Sequence, residues 1–66
     1  MQITLNGEPR TLASEITVHD LIDSLGLKAD RVAIELDGSI VKKTLWSTLE
    51  LRDGSRIEIV QFVGGG

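Results

Sequence analysis

The stretch Thr17-Val18-His19-Asp20-Leu21-Ile22-Asp23-Ser24-Leu25-Gly26 constrains the fold more than any other part of the chain. Val18, Leu21, Ile22 and Leu25 fall at i, i+3, i+4 and i+7, the spacing of one apolar stripe on an α-helix. Thr17 stands where an N-cap belongs, with Asp20 three residues on as a variant of the capping box. Ile16, just before the cap, is placed to pack on Leu21 as a hydrophobic staple. Gly26 supplies the left-handed residue that ends the helix. The stripe needs an apolar surface to cover, and the sequence on both sides reads as strand.

Before the helix, Ile3 and Leu5 alternate with polar residues, and Asn6-Gly7 is a strong two-residue hairpin signal. Glu8-Pro9-Arg10-Thr11-Leu12 follows as the return strand. Pro9 cannot donate to a ladder, which puts that strand at a sheet edge and leaves the first strand free to pair on its other side. After the helix, Arg31-Val32-Ala33-Ile34-Glu35-Leu36 alternates as a strand, and Asp37-Gly38 turns it toward Ser39-Ile40-Val41. Residues 42–51 lack a clean period. Trp46 within them is expected to plug one end of the core rather than stack on a ligand, because a lone aromatic makes no platform. Asp53-Gly54 is the last turn before the strand Arg56-Ile57-Glu58-Ile59-Val60-Gln61-Phe62-Val63.

Two strands, a helix and then further strands predict an α+β domain with one helix packed on one face of a mixed sheet. The first and last strands should lie side by side and parallel at the centre, with the helix in the long crossover that parallel pairing requires. That arrangement is the β-grasp, or ubiquitin-like, fold, expected over residues 1–63 with a glycine tail at 64–66.

The last strand carries a conflict. If Ile57 and Ile59 point toward the helix, the period of two sends Val60 and Phe62 to the opposite face, which one helix cannot cover. Either a bulge resets the register near Val60 or the chain exposes an apolar patch beside its end. The patch is the favoured outcome, because exposed apolar surface is what a protein docked by its partners presents.

Composition removes several functions. At 66 residues the chain is one small domain that buries roughly 60% of its unfolded surface, leaving little room for an enclosed active site. It has no cysteine and one histidine, so disulfides, thiol chemistry, a Cys nucleophile, a His-rich metal site and a His-based triad are all unsupported. His19 falls on the polar side of the first helical turn and reads as an ordinary exposed residue. The net charge of −3 argues against nucleic acid and suits a basic docking site on a partner. Met1 runs directly into Gln2-Ile3-Thr4-Leu5 with no signal-peptide pattern, and no run approaches a membrane span. The expectation is a cytoplasmic protein, monomeric on its own.

The chain ends on Gly64, Gly65 and Gly66. Glycines without Cβ atoms cannot pack into a core, so a slender, mobile tail is expected, able to thread a narrow channel. The group it would deliver is the α-carboxylate of Gly66, a poor electrophile until another protein converts it to a mixed anhydride.

Taken together, the opening Met1-Gln2-Ile3, the helix Thr17–Ile22, Ile40-Val41 with Trp46, the Asp53-Gly54 turn and the ending Ile57–Gly66 resemble the ThiS family of thiamine-biosynthesis sulfur carriers, over essentially the whole chain. The resemblance implies a co-substrate rather than an enzyme, with no cofactor or metal bound to the chain itself. An adenylating enzyme related to ubiquitin-activating enzymes would use ATP and magnesium to activate Gly66, with Gly64 and Gly65 required for access. Sulfur supplied through a cysteine desulfurase would replace AMP and leave a thiocarboxylate, and thiazole synthase would receive the sulfur. Val60 and Phe62 are the expected docking residues. A molybdopterin synthase small subunit, a ubiquitin-like protein modifier and a plain β-grasp interaction module remain as alternatives.

Overall fold

The computed structural model describes residues 1–62. Val63 and the glycine end Gly64, Gly65 and Gly66 lie outside the described residues, and with them the expected tail. Two Asx-Gly turns build the two hairpins. Asn6 (φ 49°) and Gly7 (φ 82°) join β1 (Gln2–Leu5) to β2 (Glu8–Thr11), and Asp37 (φ 50°) and Gly38 (φ 89°) join β3 (Val32–Leu36) to β4 (Ser39–Ile40). Positive φ at both central residues is the type I′ turn, whose twist matches that of the strands it joins. The sheet runs β2-β1-β5-β3-β4, where β5 is Arg56–Gln61, and β1 and β5 are parallel neighbours at its centre. This is the mixed β-grasp sheet expected from the sequence, with Pro9 on its edge strand.

The helix α1 (Val18–Ser24) begins on a complete capping box: Thr17 Oγ1 accepts from the Asp20 N–H at 3.1 Å, and the Asp20 carboxylate accepts from the Thr17 N–H at 3.2 Å. The first two helical donors, Val18 and His19, have no intrahelical acceptor. The segment after β4 supplies both: Val18 N–H donates to the Leu49 carbonyl at 3.0 Å and His19 N–H to the Trp46 carbonyl at 2.9 Å. Residues 42–51 show no period for this reason. They form a 3₁₀ turn, Lys43–Leu45, and then a strap whose carbonyls seat the helix. At the other end Gly26 (φ 71°) donates to Asp23 and Leu27 to Ile22, the paired bonds of a Schellman stop. Leu25 thereby becomes the C-cap instead of a helical residue.

Ile3, Leu21, Ile34, Leu51 and Ile57 are almost fully buried between helix and sheet. Trp46 closes one end of this core at 2% exposure, its Nε1 donating to the Val41 carbonyl at 3.0 Å. The strand expected from Arg31 starts one residue later, because Arg31 completes a 3₁₀ turn, Ala29–Arg31. Likewise Leu12 falls outside β2 and Val41 outside β4.

Candidate functional site

β5 is the strand that leads to the glycine end, and it is held from both sides. On one side five consecutive pairs, from Leu36↔Ile57 to Val32↔Gln61, join it antiparallel to β3 without a bulge. On the other, Thr4↔Arg56 and Leu5↔Ile57 join it parallel to β1. Unbroken register decides the conflict read in the sequence. Ile57 is 1% exposed and Ile59 is partly buried beneath the helix side, whereas Val60 and Phe62 stand on the opposite face at 56% and 55% exposure. The apolar patch exists and no bulge absorbs it.

Residues directly opposite each other on paired strands share a face. Ala33 therefore lies beside Val60, and a row Ile40, Glu35, Glu58 crosses β4, β3 and β5 on the same uncovered face. Ile40 is the most exposed large apolar residue described, at 79%. Two carboxylates opposite one another repel, so Glu35 and Glu58 make this face attractive to a cation approaching from outside. Asp37 is committed elsewhere: its Oδ1 accepts from the Arg56 N–H at 2.8 Å and ties the β3–β4 turn to the start of β5.

One contributor was not visible from pattern alone. Asn6 reads in the sequence only as a turn residue, yet its side chain extends the sheet. Its Oδ1 accepts from the Ile59 N–H at 2.7 Å and its Nδ2 donates to the Ile59 carbonyl at 3.4 Å, while its own N–H donates to Ile57 at 2.8 Å. The carboxamide takes the place of the residue that β1 lacks once it turns away. Phe62 is fixed from the β3 side, its N–H donating to the Arg31 carbonyl at 2.8 Å. The last described residue is thus a bonded part of the sheet.

Of the residues expected to function, Val60 and Phe62 are brought together on one face, while Gly64, Gly65 and Gly66 lie outside the described residues. His19 is exposed on the first turn of α1, and Trp46 is core. Among the described residues no three His, Asp or Glu side chains gather as a metal site. No helix among them is long and apolar enough to cross a membrane.

Known proteins resemble the chain throughout its length. A thiazole synthase from Paramagnetospirillum magneticum is 38% identical over all 66 residues, which make up only 20% of that protein; the chain thus spans about a fifth of this relative. The sulfur carrier protein ThiS of Escherichia coli is 30% identical, and the match covers the whole of both chains. The crystal structure of the thiamine biosynthesis protein ThiS from Geobacter metallireducens superposes with a TM-score of 0.86 at 30% identity, again over the whole of both chains. Residues 3–66 match the ThiS family, and with strand order, helix and glycine end all inside that match, the chain belongs to it.

Proposed function

We propose that the chain carries sulfur on the carboxyl group of Gly66 for thiazole formation in thiamine biosynthesis. The observation that carries this reading is the placement of β5. A central strand pinned by β1, β3 and Asn6 delivers its end, with Val60 and Phe62 exposed, at the point where Val63-Gly64-Gly65-Gly66 continue. A docked enzyme that grips this face holds the strand from which the glycine end continues in sequence.

The chain acts as a co-substrate. The Gly66 carboxylate attacks the α-phosphorus of ATP, held with magnesium by an adenylating partner, and pyrophosphate leaves. The resulting acyl-adenylate is electrophilic at carbon. A sulfur nucleophile from a cysteine desulfurase system forms the C–S bond as the C–O bond to AMP breaks. If that nucleophile is a persulfide, a thiol then cleaves the S–S bond and leaves as disulfide, releasing the thiocarboxylate. Its sulfur is anionic and soft at neutral pH, a far better nucleophile than a carboxylate oxygen. Thiazole synthase is the acceptor, in the cytoplasm where ATP and the desulfurase operate. Gly64 and Gly65 add no side chains that would block a narrow channel.

Intact-mass analysis of protein purified from its own host tests the reading. One oxygen exchanged for sulfur, located by fragmentation to the C-terminal peptide, is the expected result. Location decides, because oxidation of Met1 gives nearly the same shift. Incubation with the adenylating enzyme, ATP and a sulfide source that leaves the C-terminal peptide unchanged would overturn it.

A further inference from the structure

The backbone of β5 has an open edge where its neighbour ends. Phe62 N–H donates toward β3, and in the antiparallel register Val60 does the same, so the N–H groups of Ile59 and Gln61 face the β1 side. The N–H of Ile59 is taken by Asn6 Oδ1. One step further, β1 has turned away at Asn6-Gly7, and Asn6 reaches no farther than Ile59. Gln61 is exposed, and its N–H and carbonyl point to the side where no strand pairs among the described residues. An unpaired strand edge is a template for another extended backbone.

Resting on the reading of Gly66 as the reacting end, we infer that the adenylating partner adds an extended segment of its own to this edge, pairing first with Gln61. The length of chain beyond the described residues supports that occupant. Val63 to Gly66 are four residues and reach at most about 14 Å when extended. An enzyme acting on the Gly66 carboxyl must therefore place its body beside the last residues of β5. From residue 64 on there are no side chains to recognise, so what the enzyme grips there is backbone. Strand pairing grips backbone at every second residue. Begun at Gln61, it fixes the register in which the chain enters the enzyme. Val60 and Phe62, projecting perpendicular to that edge, then meet the same partner from the open face. The edge supplies register and the face supplies grip.

Gln61→Pro isolates the edge. Proline removes the N–H and places its ring where an incoming strand would lie, while the bonds from Val60 and Phe62 to β3 use other residues. Proline is tolerated in strands where the missing N–H faces away from the sheet. Gln61→Ala removes the side chain and keeps the donor. In ATP–pyrophosphate exchange with the host's carrier-adenylating enzyme and Mg-ATP, Gln61→Ala should lie within about twofold of wild type. Gln61→Pro should raise the KM for the carrier about tenfold or more, the loss of roughly one well-made hydrogen bond. A synthetic chain with an ester in place of the 60–61 amide deletes the donor alone and serves if the proline variant unfolds. The direct readout is hydrogen exchange: the Gln61 amide should become protected when the wild-type carrier is saturated with the enzyme. An unprotected Gln61 amide in the saturated complex, or proline and ester variants that behave like alanine, would overturn the inference. Protection that appears without enzyme and grows with carrier concentration would assign the edge to a second copy and overturn it equally. A carrier truncated of Gly65 and Gly66 runs alongside. Exchange persisting there sinks the carrier reading itself, whereas an inactive truncation with an unprotected Gln61 sinks only the edge.

Discussion

Phe62→Ala distinguishes a docking residue from a core residue, because the two predict opposite balances between stability and activity. Phe62 is 55% exposed, so less than half of its surface is covered. Fully burying such a side chain contributes about 1.5–3 kcal/mol, which puts the covered part of Phe62 at about 1 kcal/mol. A buried phenylalanine cut to alanine costs about 3–5 kcal/mol. The backbone bond from Phe62 N–H to Arg31 does not depend on the side chain and survives the substitution. Urea unfolding followed by the fluorescence of buried Trp46 therefore should show a loss near 1 kcal/mol with an unchanged slope. Binding responds differently. An aromatic anchor seated in a partner's pocket loses 2 kcal/mol or more on truncation, about thirtyfold in affinity. KM for the carrier in ATP–pyrophosphate exchange should rise by that factor while folding stability falls only slightly. Ile57→Ala is the contrast: at 1% exposure it should cost about 2–5 kcal/mol and affect exchange only through unfolding. A loss of 3 kcal/mol or more for Phe62→Ala, or an unchanged KM, would refute the reasoning.

Further outcomes can be checked separately. Gly65→Ala should abolish ATP–pyrophosphate exchange and leave the unfolding midpoint unmoved, since the buried core is drawn from residues 3–57; normal exchange would show that a methyl group is tolerated there. Asn6→Gly keeps the positive φ but deletes both bonds to Ile59. It should cost about 1 kcal/mol and speed exchange of the Ile59 amide, and an unaltered rate would mean the carboxamide does not hold β5. Trp46→Phe strips the donor from the Val41 carbonyl and leaves a void, for about 1–3 kcal/mol in denaturant unfolding. Glu58→Lys turns a like-charged cross-strand pair with Glu35 into an attractive one. It should raise stability by a few tenths of a kcal/mol while slowing association with the adenylating enzyme at low salt; faster association would reverse the assigned charge of the partner's surface.

Features set by neighbours in sequence were legible: the helix from the spacing of Val18, Leu21, Ile22 and Leu25, its cap from Thr17 and Asp20, both type I′ turns from their Asx-Gly pairs, and the edge position of β2 from Pro9. The exposed face could be read because alternation along β5 is strict and one helix covers one side. Long-range hydrogen bonding was not legible. Nothing local in residues 42–51 reveals that Trp46 and Leu49 carbonyls cap α1, since that bond spans more than twenty-five residues and uses backbone common to every sequence. Nor does Asn6 announce a second task. Asparagine suits a left-handed turn position on its own, so its bonds to Ile59 are visible only once β5 lies beside β1.

The open face follows from a shortage of chain. One seven-residue helix and a strap cover a single side of five strands, so any apolar residue on the other side stays in water unless a partner covers it. Ordinary selection for solubility would place polar residues there, as it does at Gln2, Thr4, Glu35 and Glu58. Val60, Phe62 and Ile40 depart from that rule; Val60 lies on β5 and Phe62 directly follows its last residue. A side chain projecting from β5 reports where the strand is, and β5 is held in place by β1, β3, Asn6 and the Arg31 carbonyl. On the function proposed above, an enzyme gripping Val60 and Phe62 knows the position of residue 62 to within the rigidity of the sheet, four residues before the Gly66 carboxyl proposed to react. If the patch were moved to another strand by paired substitutions, Val60→Thr and Phe62→Thr with Thr4→Val and Gln2→Phe, exposed apolar area on the face would be kept but its fixed distance to Gly66 would be lost. Activation should then fall despite equal hydrophobicity and near-equal stability. Activation retained at the wild-type level would mean that the partner reads apolar area alone and that the register of β5 has no part in presenting the carboxyl group.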